Sequence, residues 1–400
     1  MVATKSFDIT ERGENGAPMR PPEPEISRYW STRFYHALSW QTFLFKNLKM
    51  KKNAWAEREM ALSVRKIVED LKQRGEKYEN NVYDVPSYSA DRLSKAEIRT
   101  LVNIARPFVL RGAAKHWGAV QKWDLDFFSD NFGEQKMTTK GELLGADRFE
   151  ERLIADVVAD LKAGKPIYSG FAEEIFLNNP SLHGDISRED ILEMMGAKAD
   201  REVSLTSFFQ RGTISSVQMF IQGASSHTTY HMTKFHNFFV EIQGAKEWVL
   251  MDPRLSIGIE PCPSAAFYYI STQAVDGPDS PDELYSYMPK VRAVIEPGDI
   301  LFIPSYWWHD VRTYQSDHVI GMAIRASEWS LDNWLFDALL LADTKTIPFF
   351  YKAFIKGIAL TRAEDAVRNI DDDLKRLGVA EEEKSTTESQ KTAEKQKEVA

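Results

Sequence analysis

The segment that decides the fold is Glu296-Pro-Gly-Asp-Ile-Leu-Phe-Ile-Pro-Ser-Tyr-Trp-Trp-His309. Its Pro-Gly-Asp start is typical of a tight turn. The apolar residues that follow, 300–303, form a run that is too short for a helix and is bounded by turn residues, which predicts a buried strand. Pro304 ends this strand, and two tryptophans then lead to His309. The segment therefore predicts a histidine next to a buried strand of a β-rich core.

Other short apolar runs end at Gly or Pro in the same way and predict more strands. They lie at residues 106–112, 217–222, 237–243, 246–251, 291–295 and 319–325. Because only a short turn containing Gly244 separates the third run from the fourth, these two strands are predicted to pair as a hairpin. Several short strands joined by Pro and Gly turns favour a sandwich or a jelly roll.

Helical spacing flanks this β core on both sides, so the predicted fold class is mainly β with helical additions (α+β). Residues 28–103 are predicted to form a helical N-terminal region, residues 104–328 the β core, and residues 329–380 a C-terminal helical region. The polar ends, 1–27 and 381–400, have the composition of disordered segments.

Two further segments inside the core have helical spacing, residues 150–164 and 186–196. Asp185 or Ser187 is suited to cap the second of these helices, because short polar side chains accept hydrogen bonds from the first free N–H groups of a helix.

The composition limits the classes of function. The formal net charge of −9 argues against non-specific binding to nucleic acid, which depends on neutralising phosphates. Cys262 is the only cysteine, which excludes a disulfide within the chain and a cysteine-based zinc site. The N-terminus has no apolar signal region, and no stretch of about 18 apolar residues occurs, so the expected location is cytoplasmic, or nuclear in a eukaryote.

Histidines cluster just before the third predicted strand. His227, His231 and His236 fall within ten residues, and His309 ends the segment quoted first. A single histidine in such a place is more often structural. Their joint placement on neighbouring strands favours a metal site, because imidazole is a good ligand for Fe(II).

Three motifs together resemble the JmjC-like, cupin-like oxygenases, of the type of factor inhibiting HIF. They are the histidine cluster, Asn237-Phe-Phe followed by Gly244-Ala-Lys246, and the Pro-Gly-Asp segment that leads to His309. The resemblance spans about residues 104–330, and it includes an upstream stretch, RPFVLRGAAKHWGAVQKWDLDFFSDNFG, that looks like the family's entry strand and helix.

The resemblance implies a double-stranded β-helix with a site at one mouth of the barrel. It implies that His231 and His309 bind Fe(II) and that Lys246 binds the far carboxylate of 2-oxoglutarate, with Thr228 supporting the same carboxylate. Asn237 is implied to line the metal cavity. A buried ammonium needs an anion, which a dicarboxylic co-substrate would provide. The implied substrate is a protein or a small molecule.

The motif departs from the family at its third metal ligand. Position 233 is Thr where the family has Asp or Glu, so the usual triad of two histidines and one carboxylate is incomplete. Three alternatives stay open: Thr233, water or His227 completes an active centre; the chain is a binding protein without catalysis; or His227, His231 and His309 form a three-histidine site. His227 is interpreted first as a solvent-facing loop residue.

Two assignments lie further along the chain. Arg325, in the last predicted strand, is a candidate contact for a substrate or co-substrate carboxylate, with an ordinary surface salt bridge as the alternative. The apolar residues of the C-terminal helical region are consistent with a homodimer interface and equally with packing on the barrel exterior. The segment 347–360 is predicted to be an amphipathic helix docked on the protein.

Overall fold

The structure is a computed structural model of the chain. It describes residues 54–73, 82–140, 149–172, 174–197, 213–224, 226–259, 261–264, 268–271, 285, 288–327 and 336–337. The predicted disordered ends, the docked helix at 347–360 and nearly all of the C-terminal helical region lie outside the described residues, so the predicted dimer interface is untested. Among the described residues, no helix is both long enough and apolar enough to cross a membrane.

The α-helices whose full bounds the structure describes all precede residue 213. They are α1 (Ala54–Gln73), α2 (Lys95–Ile104), α3 (Gly118–Lys122), α4 (Leu125–Phe132), α5 (Ile154–Lys162), α6 (Glu174–Asn178) and α7 (Arg188–Met195). Short polar residues begin several of them. Ser94 and Glu97 form a reciprocal capping box on α2, the Asp124 carboxylate accepts from Phe127 N–H on α4, and Ser187 caps α7 as predicted.

Sixteen strands in the described part of the chain form two sheets. The first sheet has seven strands, which in spatial order are β1 (Val82–Asp84), β13 (Lys290–Ile295), β10 (Lys246–Met251), β15 (Trp308–Thr313), β8 (His227–Thr233), β12 (Tyr268–Ser271) and β11 (Pro261–Ser264). The second sheet has nine, which in spatial order are β2 (Ser87–Ser89), β3 (Phe108–Arg111), β14 (Ile300–Ile303), β9 (His236–Gln243), β16 (His318–Ser327), β7 (Thr213–Gly223), β6 (Tyr168–Ala172), β4 (Lys136–Lys140) and β5 (Phe149–Leu153).

The two sheets face each other and enclose an inner core. Side chains alternate along each strand, so Phe239 of β9 points into this core while Phe238 and Val240 point to the other face of the sheet. Phe239 contacts Trp248 of the opposite sheet, with ring centroids 4.7 Å apart. Helices α2 to α7 pack their buried residues against the outer face of the nine-stranded sheet. This is the cupin-type arrangement with helical additions that the resemblance implies.

The predicted hairpin between β9 and β10 is wrong. Both strands form, but they belong to different sheets: β9 pairs with β14 and β16, and β10 pairs with β13 and β15. Gly244 carries the chain from one sheet to the other in the left-handed region (φ 75°), and a Cβ there would lie 2.4 Å from His318 O. The local pattern gave the turn correctly but could not tell which strands it would bring together.

Two other expectations need adjustment. The predicted helix 150–164 begins as strand β5 and becomes helical only at Ile154. The expected helical region 28–103 contains α1 and most of α2, but also the short strands β1 and β2, each of which adds in parallel to one of the two sheets.

Gly321 of β16 is a position where any side chain should be costly. A Cβ built there would lie 2.6 Å from two ring atoms of Phe239, which is packed in the inner core. We expect Gly321→Ala to lower the free energy of unfolding by about 1–3 kcal/mol, measured by urea denaturation, because overpacking forces neighbours off their preferred positions.

Gly184 is the matched control for this prediction, since a Cβ there meets nothing within 4 Å. Gly184→Ala should change the free energy of unfolding by less than about 0.5 kcal/mol. Equal effects of the two substitutions would contradict the packing described around Phe239.

Candidate functional site

Two histidines from neighbouring strands meet inside the barrel. His231 of β8 and His309 of β15 are directly paired residues of the seven-stranded sheet. Their ring centroids are 4.1 Å apart, with an angle of 58° between the ring planes. The convergence expected from the sequence is therefore present, and it brings together residues 78 positions apart in the chain.

The orientation and charge of His309 suit a metal ligand. Its Nδ1 lies 2.9 Å from the carbonyl oxygen of Trp307, which can only accept, so Nδ1 carries the proton and Nε2 keeps its lone pair. The ring is 2% exposed. Burial, with smaller contributions from His231 and Arg325, holds the pKa of His309 well below its usual value. His309 is thus neutral, which is the form that binds metals.

Thr233 occupies the place of the missing carboxylate, and its hydroxyl already has a structural role. Thr233 Oγ1 accepts a hydrogen bond from Phe235 N–H at 3.1 Å, and its carbonyl oxygen accepts from Tyr306 N–H at 2.7 Å. The side chain is 2% exposed. It therefore closes a local turn beside the two imidazoles, as Thr side chains commonly do.

None of the other nearby candidates supplies a third ligand. Within the described part of the chain, no group of three or more His, Cys, Asp or Glu side chains is placed to hold a metal. His227 is the first residue of β8 and pairs with Arg312, so its interpretation as a loop residue is wrong. His236 Nδ1 accepts from Ser305 N–H at 2.9 Å, and Asp310 Oδ2 accepts from Arg312 at 2.9 Å.

Lys246 lies inside the barrel, as expected. It begins β10, is 1% exposed, and its Nζ lies 4.7 Å from the ring centroid of Phe239 and 5.3 Å from that of Phe220. These aromatic faces favour the cation, but burial lowers the pKa of Lys246 to about 8, an effect that the charge of Glu241 opposes.

Glu241 is a buried residue of the barrel interior whose burial was not predicted from the sequence. It is fully buried, and it lies on the inner face of β9 with Asn237 and Phe239. Burial raises the pKa of Glu241 well above its usual value, and the positive charge of Lys246 opposes this. The signal was present in the sequence, because period-two alternation puts Glu241 and Asn237 on one face.

Several polar atoms on the barrel's inner strands are buried and have no hydrogen-bond partner among the residues that the structure describes. They are Thr228 Oγ1, Asn237 Oδ1, Trp248 Nε1 and both carboxylate oxygens of Glu241. Buried polar groups in native proteins are nearly always bonded to protein, water or ligand. This group therefore fits a space that receives a polar ligand.

Arg325 is also part of this interior. It pairs with Asn237 across β16 and β9, is 4% exposed, and its guanidinium carbon lies 5.1 Å from the ring centroid of Tyr268. The alternative of a surface salt bridge is therefore wrong, because the residue is not at the surface.

The donor set fits an iron and 2-oxo acid site in part. The imidazole rings of His231 and His309 lie next to each other. The buried side chain of Lys246 lies on β10, the strand beside β15 in the same sheet. The protein carboxylate of the usual triad is absent, so a divalent metal here would have two protein nitrogen ligands and the remaining positions for ligand or water.

Comparison of the sequence with known protein families identifies the family of the fold that carries this site. A model of the cupin-like domain matches residues 94–329, which is more than half of the chain. This chain belongs to the cupin-like domain family. Members of its JmjC branch are generally Fe(II)- and 2-oxoglutarate-dependent oxygenases, and the resemblance seen in the motifs is thereby confirmed at the level of the family.

Three curated relatives illustrate the range of the family. Jumonji C domain-containing protein 5 of Drosophila melanogaster is 25% identical over 244 residues, covering 58% of this chain and 57% of its own length. The bifunctional peptidase and (3S)-lysyl hydroxylase of Homo sapiens is 23% identical over 243 residues, covering 52% of this chain and 74% of its own. The tRNA wybutosine-synthesizing protein 5 of Mus musculus is 29% identical over 220 residues, covering 52% and 67%. The chain thus spans little more than half the length of the fly protein.

Proposed function

We propose that this chain is an Fe(II)- and 2-oxoglutarate-dependent oxygenase that hydroxylates a C–H bond of a protein or a small molecule. The observation that carries the proposal is the pair His231 and His309, whose rings lie 4.1 Å apart inside a barrel that also contains the buried Lys246. Membership of the cupin-like domain family supports it.

The proposed roles follow from the strand register. Leu250 of β10 pairs with His309, and Lys246 lies four residues earlier on the same face, about 13 Å along the strand. A five-carbon diacid and a lysine side chain together can span this separation. His231 and His309 would hold the metal, Lys246 would donate to the far carboxylate, and Thr228 would add a hydroxyl.

When bound, iron and 2-oxoglutarate would supply the oxidising chemistry, in which decarboxylation of the 2-oxo acid to succinate accompanies hydroxylation of the substrate. The chain's own part is to bind and orient these groups and to exclude water. Asn237 and Arg325, which pair across β9 and β16, would present polar groups to the ligands. Phe239 and Trp248, both 2% exposed, form apolar walls on two sides of the barrel.

The proposed substrate is a protein or a small molecule rather than a nucleic acid. The human relative is named as a lysyl hydroxylase, which is a precedent for a protein substrate, and the mouse relative is named for synthesis of a tRNA base. The net charge of −9 argues against tRNA for this chain, because RNA binding depends on neutralising phosphates.

A second candidate function is that of a binding protein without catalysis. The hydroxyl of Thr233 favours it, because this group accepts from Phe235 N–H and is a much weaker metal ligand than a carboxylate. Such a protein would keep the barrel and its polar interior while turning over no co-substrate.

An anaerobic titration with Fe(II) and 2-oxoglutarate distinguishes these two candidates. The oxygenase is expected to develop the metal-to-ligand charge-transfer absorption of a chelated 2-oxo acid and to form succinate when oxygen is admitted. Absence of both the band and succinate would leave the binding protein as the better description.

Restoring a carboxylate at position 233 should strengthen metal binding. We expect Thr233→Asp to raise the affinity for Mn(II) at least about tenfold, because a carboxylate adds a charged oxygen ligand beside the two imidazoles. Mn(II) binding is measured by electron paramagnetic resonance. Thr233→Ser, which keeps the acceptor for Phe235 N–H, is the control and should match the wild type. An Asp variant no better than the Ser variant would mean that position 233 does not face the metal.

A further inference from the structure

Trp248 is a buried tryptophan whose indole N–H has no acceptor in the described part of the chain. The side chain is 2% exposed, and its Nε1 donates to none of those residues. Three other tryptophans are as deeply buried, and each donates from Nε1: Trp117 to Asp190 at 2.8 Å, Trp123 to Asp185 at 3.0 Å and Trp308 to Ser256 at 2.9 Å. A buried indole N–H usually has a partner, because leaving the group unbonded in a dry interior costs free energy. The indole of Trp248 is therefore suited to donate to a bound molecule.

Trp248 lies between the imidazole pair and Lys246. On β10 it alternates with Lys246 and Leu250 on the inner face of the sheet, and Leu250 is the residue that pairs with His309. The ring centroid of Trp248 is 5.7 Å from that of His309 and 4.7 Å from that of Phe239. Lys246 Nζ lies 4.7 Å from the same Phe239 ring. A ligand that reaches from the imidazoles to Lys246 would therefore run past the indole.

The two rings beside Trp248 do not accept its N–H. Phe239 has no polar atom. The Nδ1 of His309 is already bonded to the carbonyl oxygen of Trp307 at 2.9 Å, and the lone pair of its Nε2 is the one that can bind a metal. The N–H of Trp248 is thus left to a ligand that enters the barrel.

We propose that Trp248 is a further co-substrate-binding residue, whose indole N–H donates a hydrogen bond to an oxygen of the 2-oxo acid. The inference rests on the proposed function, in which the 2-oxo acid extends from the imidazole pair to Lys246. The carbonyl and carboxylate oxygens of a 2-oxo acid all accept hydrogen bonds. The indole then has two roles: its N–H fixes the orientation of the ligand, and its ring excludes water from one side of it.

The first test removes the N–H of Trp248 and keeps an aromatic ring. Full-length wild-type protein and the Trp248→Phe variant, both loaded with Mn(II), are titrated calorimetrically with N-oxalylglycine. We expect the dissociation constant of this ligand to be at least about tenfold higher for the variant, because a hydrogen bond to a charged oxygen is lost from a buried site.

Trp123→Phe is the matched control. It removes a buried indole N–H as well, but Trp123 packs with Phe128 and Phe176 on the helical side of the nine-stranded sheet and donates to Asp185. It should keep the wild-type dissociation constant. If Trp248→Phe also keeps that constant while the ligand binds, this inference is overturned and the proposed function stands.

A second measurement distinguishes a lost hydrogen bond from a repacked barrel. Spectra that correlate ¹H and ¹⁵N in the tryptophan indoles are recorded for the wild-type protein with Zn(II), before and after N-oxalylglycine is added. The Trp248 signal is assigned by its absence from Trp248→Phe or Trp248→Tyr. Its proton should move downfield because the N–H gains an acceptor, whereas the Trp123 signal should stay in place. Binding of the ligand without this shift would overturn the inference alone, and no binding by the wild type would overturn the proposed function with it.

Discussion

A His309→Asn variant is expected to bind Mn(II) at least about a hundredfold more weakly than the wild-type protein. His309 is one of only two imidazoles that converge at this place in the described part of the chain, and the hydrogen bond of its Nδ1 to Trp307 O leaves the Nε2 lone pair as the one that can bind a metal. With two protein ligands in place of the usual three, loss of either should remove most of the affinity. Metal binding is measured by electron paramagnetic resonance under identical conditions for both proteins.

His318→Asn is the control for this loss. His318 begins β16 and its Nε2 lies 3.1 Å from the side-chain oxygen of Gln243, so the same substitution there leaves the two imidazoles untouched. It should retain wild-type affinity. Comparable Mn(II) binding by the His309 variant and the wild type would mean that the imidazole pair is structural.

Asp337→Asn is expected to lower the free energy of unfolding by about 3–5 kcal/mol. Asp337 Oδ1 lies 2.5 Å from Lys234 Nζ and also accepts from the Tyr306 hydroxyl, and the Lys234 side chain is only 4% exposed. Replacing the carboxylate would remove the negative charge that lies 2.5 Å from a buried ammonium. Chemical denaturation monitored by tryptophan fluorescence measures the effect.

The contacts of Asp337 with Lys234 and Tyr306 also hold two backbone segments that lie close in sequence to the imidazole pair. Lys234 directly follows Thr233, and Tyr306, in the left-handed region at φ 62°, precedes His309 by three residues. Tyr269 donates to Phe336 O at 2.7 Å and adds a second contact to the same segment. The Asp337 variant should therefore bind metal less well even below its unfolding transition.

Glu193→Gln is the control for the ion pair. Glu193 pairs with Lys95 at 2.7 Å, but the two side chains are 39% and 72% exposed, so the loss should be under about 1 kcal/mol. Adding Lys234→Met to the Asp337 variant should recover part of its loss. A destabilisation no greater than that of the Glu193 control would contradict the burial of this pair.

The sequence predicted seven of the sixteen strands in the described part of the chain, and the residues of the imidazole pair, because both signals are local. Short apolar runs bounded by Gly or Pro mark the strands wherever the chain turns sharply, and the segment ending at His309 has its own turn, strand and proline. The hydrogen bond from Phe235 N–H to Thr233 Oγ1 is local as well, because Thr hydroxyls commonly accept from a backbone N–H two residues further along the chain.

Contacts between residues far apart in the sequence could not be predicted from these local patterns. The turn at Gly244 looks like a hairpin locally, yet it joins two sheets, because pairing depends on strands far away in the sequence. Lys234 and Asp337 lie 103 residues apart, and no pattern around either predicts their pairing.

The most direct test of the central claim is a crystal structure of the protein with Mn(II) and N-oxalylglycine, an unreactive analogue of 2-oxoglutarate. The account predicts one metal ion bound by the imidazole nitrogens of His231 and His309, chelated by the analogue, whose far carboxylate reaches the Lys246 ammonium. A metal bound elsewhere, or an analogue that lies outside the barrel, would contradict it.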